Sequence, residues 1–174
     1  EDHRTSALVY YYMSDEKASA DATSNMNAIP KRYQGLSARL TYGFRDTYMI
    51  DVNFGYTGSE NFQPGRRFGF FPSVALGWVP TQYEFMKNAK WLNFLKIRAS
   101  YGTVGNDRIA NKRFPYLTIV NRGSNSPWGS TSQETLIESY IGADNLEWEV
   151  ATKFDLGIEG KLFDNRIDFV VDFF

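Results

Sequence analysis

His3 is the single histidine in a chain that has no cysteine. Any Ser-His-Asp relay or His/Cys metal centre would have to depend on it. It stands at the start of the chain, where an exposed side chain of no particular role is the expectation. The reading is therefore of a protein that is not an enzyme and has neither metal nor cofactor. Gly102-Thr103-Val104-Gly105 followed by Asn106-Asp107 superficially suggests a phosphate-binding loop. It lacks the Gly-Lys-Ser/Thr ending and a helix after it, so it reads as a strand running into a loop. The residues left to do chemistry are charges spaced two apart and aromatics in loops. Arg39, Asp51, Asn53, Lys96, Arg98, Lys153, Asp155, Glu159, Lys161, Asp168 and Asp172 all stand between apolar neighbours. They could line a path for a polar ligand, or satisfy one another as cross-strand ion pairs. Both signs are interspersed, which favours mutual pairing. Phe62, Phe68, Trp128, Tyr140 and Trp148 could stack on sugar rings, pack loops or meet a partner protein. Trp128, between Pro127 and Gly129 in a Ser- and Asn-rich stretch, is the best single ligand candidate. Phe62, Arg66, Arg67 and Tyr140 join it as candidate loop contacts.

Strands must position these residues. Leu36, Ala38, Leu40, Tyr42 and Phe44 take every second place, then Tyr48, Ile50, Val52, Phe54 and Tyr56 resume after Arg45-Asp46-Thr47. Side chains of a strand alternate between faces, so this hairpin has one oily face and one polar face. Aromatics gather towards the ends of the oily face and aliphatics fill its middle. A lipid-facing barrel strand carries that pattern. Seven strands are expected: 5–13, 33–44, 48–59, 70–79, 93–104, 150–162 and 167–173. Residues 14–31 form a polar loop, Pro64-Gly65 marks a turn, and 82–90 suits a turn or two of helix. A long insertion covers 106–145 and holds a weaker apolar run at 114–120, read as a small hairpin within the loop.

Strand parity sorts these connections. Placing the tight turns at Arg45-Asp46 and Asp164-Asn165 on one rim puts 82–90 there too. The loops that begin at Ser14, Glu60 and Gly105 then share the other rim, an asymmetry like that of outer-membrane barrels with tight periplasmic turns and longer extracellular loops. The fold class expected is all-β, an antiparallel up-and-down transmembrane β-barrel segment. The alternative is a soluble all-β carbohydrate-binding module of sandwich type.

Composition narrows the field. A net charge of −1 gives no basic footprint for nucleic acid. Mean hydropathy of −0.42 is compatible with a barrel whose interior and loops are polar. The most apolar stretch, 68–80, is interrupted by Gly69, Pro72 and Gly77 and falls short of the roughly 20 residues of a membrane-spanning helix. The chain starts at Glu1 without a signal peptide and stops within a strand at Phe174, so both ends read as cut from a larger protein.

Specific motifs then appear in order. Pro30-x-Arg32-Tyr33-Gln34-Gly35-Leu36, Tyr42-Gly43 and the run from Phe54-Gly55-Tyr56-Thr57-Gly58 to Phe62 come first. Pro64-Gly65-Arg66-Arg67-Phe68-Gly69-Phe70-Phe71-Pro72-Ser73 and Gly77-Trp78 follow. Phe94-Leu95-Lys96-Ile97-Arg98-Ala99-Ser100-Tyr101-Gly102, Val104-Gly105-Asn106-Asp107, Arg113-Phe114, Asn145-Leu146-x-Trp148-Glu149 and Leu162-Phe163-Asp164-Asn165-Arg166 complete the set. Together they resemble the SusC/RagA family of TonB-linked outer-membrane transporters from about Ile29 onward. The resemblance implies a 22-stranded barrel of which about seven strands are present, with an N-terminal plug and a TonB-contacting segment outside this chain. It also implies a SusD-like surface lipoprotein as partner, glycans or peptides as imported substrate, and a parent assembled as a dimer of transporter–lipoprotein pairs. On this reading residues 1–174 are part of the barrel domain and 106–145 an extracellular loop. Outer-membrane lipids contact the oily face, and Arg39, Asp51, Asn53, Lys96, Arg98, Asp155, Glu159 and Asp168 face the lumen. Seven strands cannot close a barrel, whose smallest members have about eight, so the piece transports nothing alone.

Overall fold

The computed structural model describes residues 2–17, 29–89, 91–109, 114–129 and 131–174. Seven strands form one sheet: β1 (His3–Glu16), β2 (Lys31–Phe44), β3 (Tyr48–Ser59), β4 (Phe68–Trp78), β5 (Leu92–Asn106), β10 (Glu149–Leu162) and β11 (Ile167–Phe173). Their order is β1-β2-β3-β4-β5-β10-β11 and each pair is antiparallel, so every strand lies beside its predecessor in the wall. The up-and-down meander expected from the alternation is what forms. It stays open, with β1 and β11 as its two edges. Several strands outrun the expectation. β1 extends from His3 to Glu16 and β5 from Leu92 to Asn106. A tilted strand crosses a bilayer with about 9–11 residues, so strands of 14 and 15 have several residues to spare.

Register gives every wall residue a face. Val52 lies opposite Leu40 on one side and Val74 on the other, and Leu76 opposite Ile50 and Ala99. Tyr42, Phe44, Tyr48 and Trp78 flank this aliphatic band at one end. Phe54 and Phe70 (ring centroids 5.6 Å apart) and stacked Tyr56 and Phe68 (5.0 Å) flank it at the other. Nothing within the described residues covers the band: Leu40 is 51% exposed, Val52 45% and Leu76 51%. Among the described residues the buried apolar side chains, Phe62, Val79, Leu92 and Phe114 with Pro80 and Pro115, all sit at strand ends or in connections. A sandwich would bury the middle of its strands against a second sheet. Here the oily face is left bare, against the soluble-module alternative.

The tight turns are held by neighbours. Arg45 and Asp46 have φ of 51° and 49°, and Phe163, Asp164 and Asn165 have φ of 51°, 56° and 62°. This left-handed backbone costs L-residues on the order of 1 kcal/mol each, least for Asp and Asn. Arg45 N–H donates to Asp2 O (2.8 Å), its guanidinium pairs with the Asp2 carboxylate (2.9 Å), and Thr47 N–H donates to Phe44 O (2.9 Å). In the other turn Asp164 N–H donates to Asn93 Oδ1 (2.8 Å) and Phe163 N–H to Trp91 O (3.0 Å).

The connection between β4 and β5 is a 3-10 turn over Pro80–Gln82 and a single helical turn, α1 (Glu84–Lys87), within the turn or two of helix that 82–90 was expected to allow. Lys90 lies outside the described residues, as do 18–28 of the polar loop and 110–113 and 130 of the long insertion. That insertion is more ordered than a loop reading suggests. β6 (Ile119–Arg122) pairs with β9 (Leu136–Tyr140), and β7 (Ser126–Trp128) with β8 (Thr131–Gln133), one hairpin nested inside the other. The expected hairpin thus lies further along than 114–120; Phe114 to Leu117 is instead a turn closed by Leu117 N–H to Phe114 O (2.9 Å).

His3 is exposed, as expected. It is part of β1, opposite Phe44, with its ring 5.0 Å from the Phe44 ring and Nδ1 2.8 Å from the Tyr42 hydroxyl. It joins the aromatic row at the tight-turn end.

Candidate functional site

The polar face opposite the aliphatic band carries the charges in pairs. Asp51 lies opposite Thr41, so Arg39 reaches it diagonally, with Nε 3.1 Å from Oδ1 and 2.9 Å from Oδ2. Ser73 Oγ donates to Asn53 Oδ1 at 2.6 Å. Across β5, β10 and β11 the pairs chain together. Lys96 Nζ lies 3.9 Å from Glu159, Arg98 Nε 3.3 Å from Glu159, and Arg98 Nη2 2.7 Å from Asp172. Lys161 meets Asp168 at 3.5 Å, and Ser100 Oγ donates to Asp155 Oδ2 at 3.5 Å.

Arg98 and Asp172 are two strands apart, with Gly157 of β10 between them and opposite both. A Cβ at Gly157 would lie 2.3 Å from Arg98 Nε and 2.5 Å from Asp172 Oδ1. The glycine is the opening through which the guanidinium crosses β10. This face is partly exposed, and open ion pairs contribute only about 0–1 kcal/mol each. Their larger consequence is to leave few charges free. Lys153, opposite Gly102, makes no ion pair among the described residues.

The rim opposite the tight turns is knotted together around one buried ring. Phe62 is 0% exposed, with its centroid 5.1 Å from the Trp148 ring, which in turn meets Phe71 edge-on at 5.2 Å. Gly69 makes room: a Cβ there would lie 2.3 Å from Phe71 Cζ and 3.1 Å from Trp148 Cδ2. Arg67 works inside this knot, donating from Nε to Phe62 O (3.2 Å) while its own carbonyl accepts Trp148 Nε1–H (3.2 Å). Arg66 pairs with Glu147 at 2.9 Å, and the Gln63 amide donates to Asp144 O. Asp107 binds the Ser59 hydroxyl (2.6 Å) and accepts at its carbonyl from Asn61 (3.1 Å).

The candidate loop contacts therefore separate. Phe62 is corrected from ligand contact to packing residue, since it presents no surface. Arg67 is half-buried and engaged with backbone, while Arg66 keeps an open side chain beside Glu147. Tyr140 is half-buried and donates to Pro115 O (3.0 Å) at the base of the nested hairpins. The Trp128 backbone pairs with Thr131; its side chain lies outside what the structure describes. Sequence reading had placed Trp148 among the loop aromatics without seeing that it anchors the rim. Its place in Asn145-Leu146-x-Trp148-Glu149 was the available signal.

With this geometry in view, comparison with known proteins is decisive. The sequence model of the family described as TonB dependent receptor-like, beta-barrel, matches residues 3–174. The chain belongs to this family. TonB-dependent receptor P39 of Formosa agariphila is 31% identical over 150 residues, covering 86% of this chain and 14% of that protein. TonB-dependent receptor SusC of Bacteroides thetaiotaomicron is 31% identical over 137 residues, covering 77% and 14%. Among solved structures, the RagAB peptide transporter superimposes with a TM-score of 0.77 at 24% identity, over 99% of this chain and 21% of that one. The RagAB peptide importer in its open-open state gives 0.77 at 25%, over the same shares. This TonB-dependent receptor chain is thus a SusC/RagA-type stretch of barrel wall. It spans about a seventh of the curated relatives and a fifth of the solved chains. The family is one of receptors and transporters, not of enzymes.

Proposed function

We propose that this wall belongs to an outer-membrane importer of glycans or peptides that works with a SusD-like surface lipoprotein and is energised by TonB through a region outside this chain. The observation that carries the membrane part is the bare aliphatic band between two aromatic rows, with the charges on the opposite face. Hydrocarbon is the partner that such a band fits: a charge placed at its middle would cost about 2–4 kcal/mol, whereas on the other face it meets water and counter-ions. Both tight turns lie on one rim and the two longest connections on the other, which supports an extracellular position for 17–30, 60–67 and the insertion spanning 106–145. The polar face, with Arg39, Asp51, Asn53, Lys96, Arg98, Asp155, Glu159 and Asp168, then lines the lumen. Arg66 and Trp128 are the loop residues assigned to contact with substrate or lipoprotein, and the parent is a dimer of transporter–lipoprotein pairs.

The test is uptake by the full-length parent in its native membrane. Deleting the parent abolishes growth on one glycan or peptide source, a TonB-null background does the same, and the surface lipoprotein co-purifies with it in detergent. Undiminished uptake on every such source without the parent, or a parent recovered from the soluble fraction, refutes the proposal.

A further inference from the structure

The tight-turn rim carries large aromatics outside the strands, which a bare turn does not need. Phe85 is 72% exposed, Trp91 56% and Phe163 53%. Their placement follows from how 79–89 and Trp91 are tied down. Val79 and Pro80 are buried, and Val79 N–H donates to Thr47 O at 2.8 Å. The β4–β5 ladder ends at Trp78 opposite Ile97, and beyond it Thr81 Oγ1 accepts Leu95 N–H at 3.3 Å. The 3-10 turn therefore continues the wall where β4 stops. Tyr83 then hydrogen-bonds, hydroxyl to hydroxyl, with Tyr48. Tyr48 lies opposite Phe44 and Trp78, on the aromatic row of the oily face. Phe85 stacks on Tyr83, with centroids 5.6 Å apart and planes 23° apart. Trp91 meets the next tight turn, its carbonyl accepting Phe163 N–H at 3.0 Å.

From this geometry we infer that residues 83–89 form a foot that lies against the outside of the wall and seats Phe85 in the interfacial layer of the membrane leaflet at the tight-turn rim. The occupant is the lipid leaflet because the aromatic foot is continuous with the oily face through the Tyr48–Tyr83 contact. Aromatic side chains are enriched at that depth, where their faces are apolar and hydroxyl or indole groups reach water. Glu84, Gln82 and Asn88 beside Phe85 are exposed polar neighbours, as a segment half in water requires. A protein partner in the periplasm is the competing occupant. It has no counterpart in the observations, since the foot joins the oily face and not the polar one.

The inference rests on the membrane reading above, and the experiment separates the two. Nitroxide labels are placed by Val52→Cys, Phe85→Cys and Gln82→Cys, one at a time, in a cysteine-free full-length transporter reconstituted into phosphatidylglycerol–phosphatidylethanolamine vesicles. Collision with oxygen is compared with collision with a water-soluble nickel chelate. Oxygen dominates at 52 and at 85, and adding Phe85→Ser shifts the label at 82 towards the chelate. Oxygen dominance at 52 with chelate dominance at 85 overturns the foot and leaves the membrane wall standing. Chelate dominance at 52 removes the wall and the foot together. No shift at 82 on adding Phe85→Ser overturns the seating role of that ring.

Discussion

Val52→Arg and Ala75→Arg place the same side chain on opposite faces of adjacent strands, which makes them a sharp test of the facing assignment. Val52 sits between Leu40 and Val74, midway along the aliphatic band. Arginine there has no carboxylate on its own face, and near the middle of a bilayer it costs about 2–4 kcal/mol. At about 1.4 kcal/mol per factor of ten, that lowers the folded-to-unfolded ratio by roughly 30- to 1000-fold. Ala75 lies opposite Asp51 and Ser100 on the polar face, and the space beside it is lined by Asp155 and by Asp172 with its partner Arg98. Arginine there meets carboxylates and water, so its effect is expected within about 0.5 kcal/mol of neutral, as for surface substitutions. The assay is urea-dependent folding of the full-length parent into lipid vesicles, read by protease protection and tryptophan fluorescence. Equal loss from the two substitutions, or greater loss from Ala75→Arg, would falsify the assignment of the faces.

Other substitutions probe the polar face and the rim. Gly157→Ala obstructs the Arg98–Asp172 crossing and is expected to destabilise the wall by about 1–3 kcal/mol, the usual overpacking range. Arg98→Ala should remove most of that penalty in a double-mutant cycle; additivity there would refute the crossing. Phe62→Ala empties a fully buried site and should cost about 3–5 kcal/mol locally. Hydrogen exchange should then speed up in 60–67 and 142–148 while β2 and β3 keep their protection, and uniform acceleration would argue against a local knot. A cycle on Arg39 and Asp51 should give a coupling of about 0.2–1 kcal/mol that shrinks with salt. Coupling insensitive to salt would mean that the pair is dry.

Much of this architecture was legible because its signal is local. A side-chain period of two decides faces within each strand, so Leu40, Ile50 and Val52 on one side and Arg39, Asp51 and Asn53 on the other needed no partner to be sorted. Turn residues such as Asp46 and Asn165 marked where the chain reverses, and parity then assigned each loop to a rim. The bare oily face follows from the same pattern, because amphipathic strands with aromatics at both ends describe their surroundings as well as themselves.

What only the tertiary structure decided are contacts between residues far apart in sequence. Phe62 and Trp148 are separated by 86 positions, and the spacing of neither shows that one buries the other. Arg98 finds Asp172 only because register places Gly157 between them, a fact about three strands at once. His3 read as an exposed terminal residue, and only the pairing of β1 with β2 sets its ring beside Phe44. Alternation tells which way a side chain points, but its neighbour there is set by how strands are ordered and aligned, a non-local property that appears only when the sheet has formed.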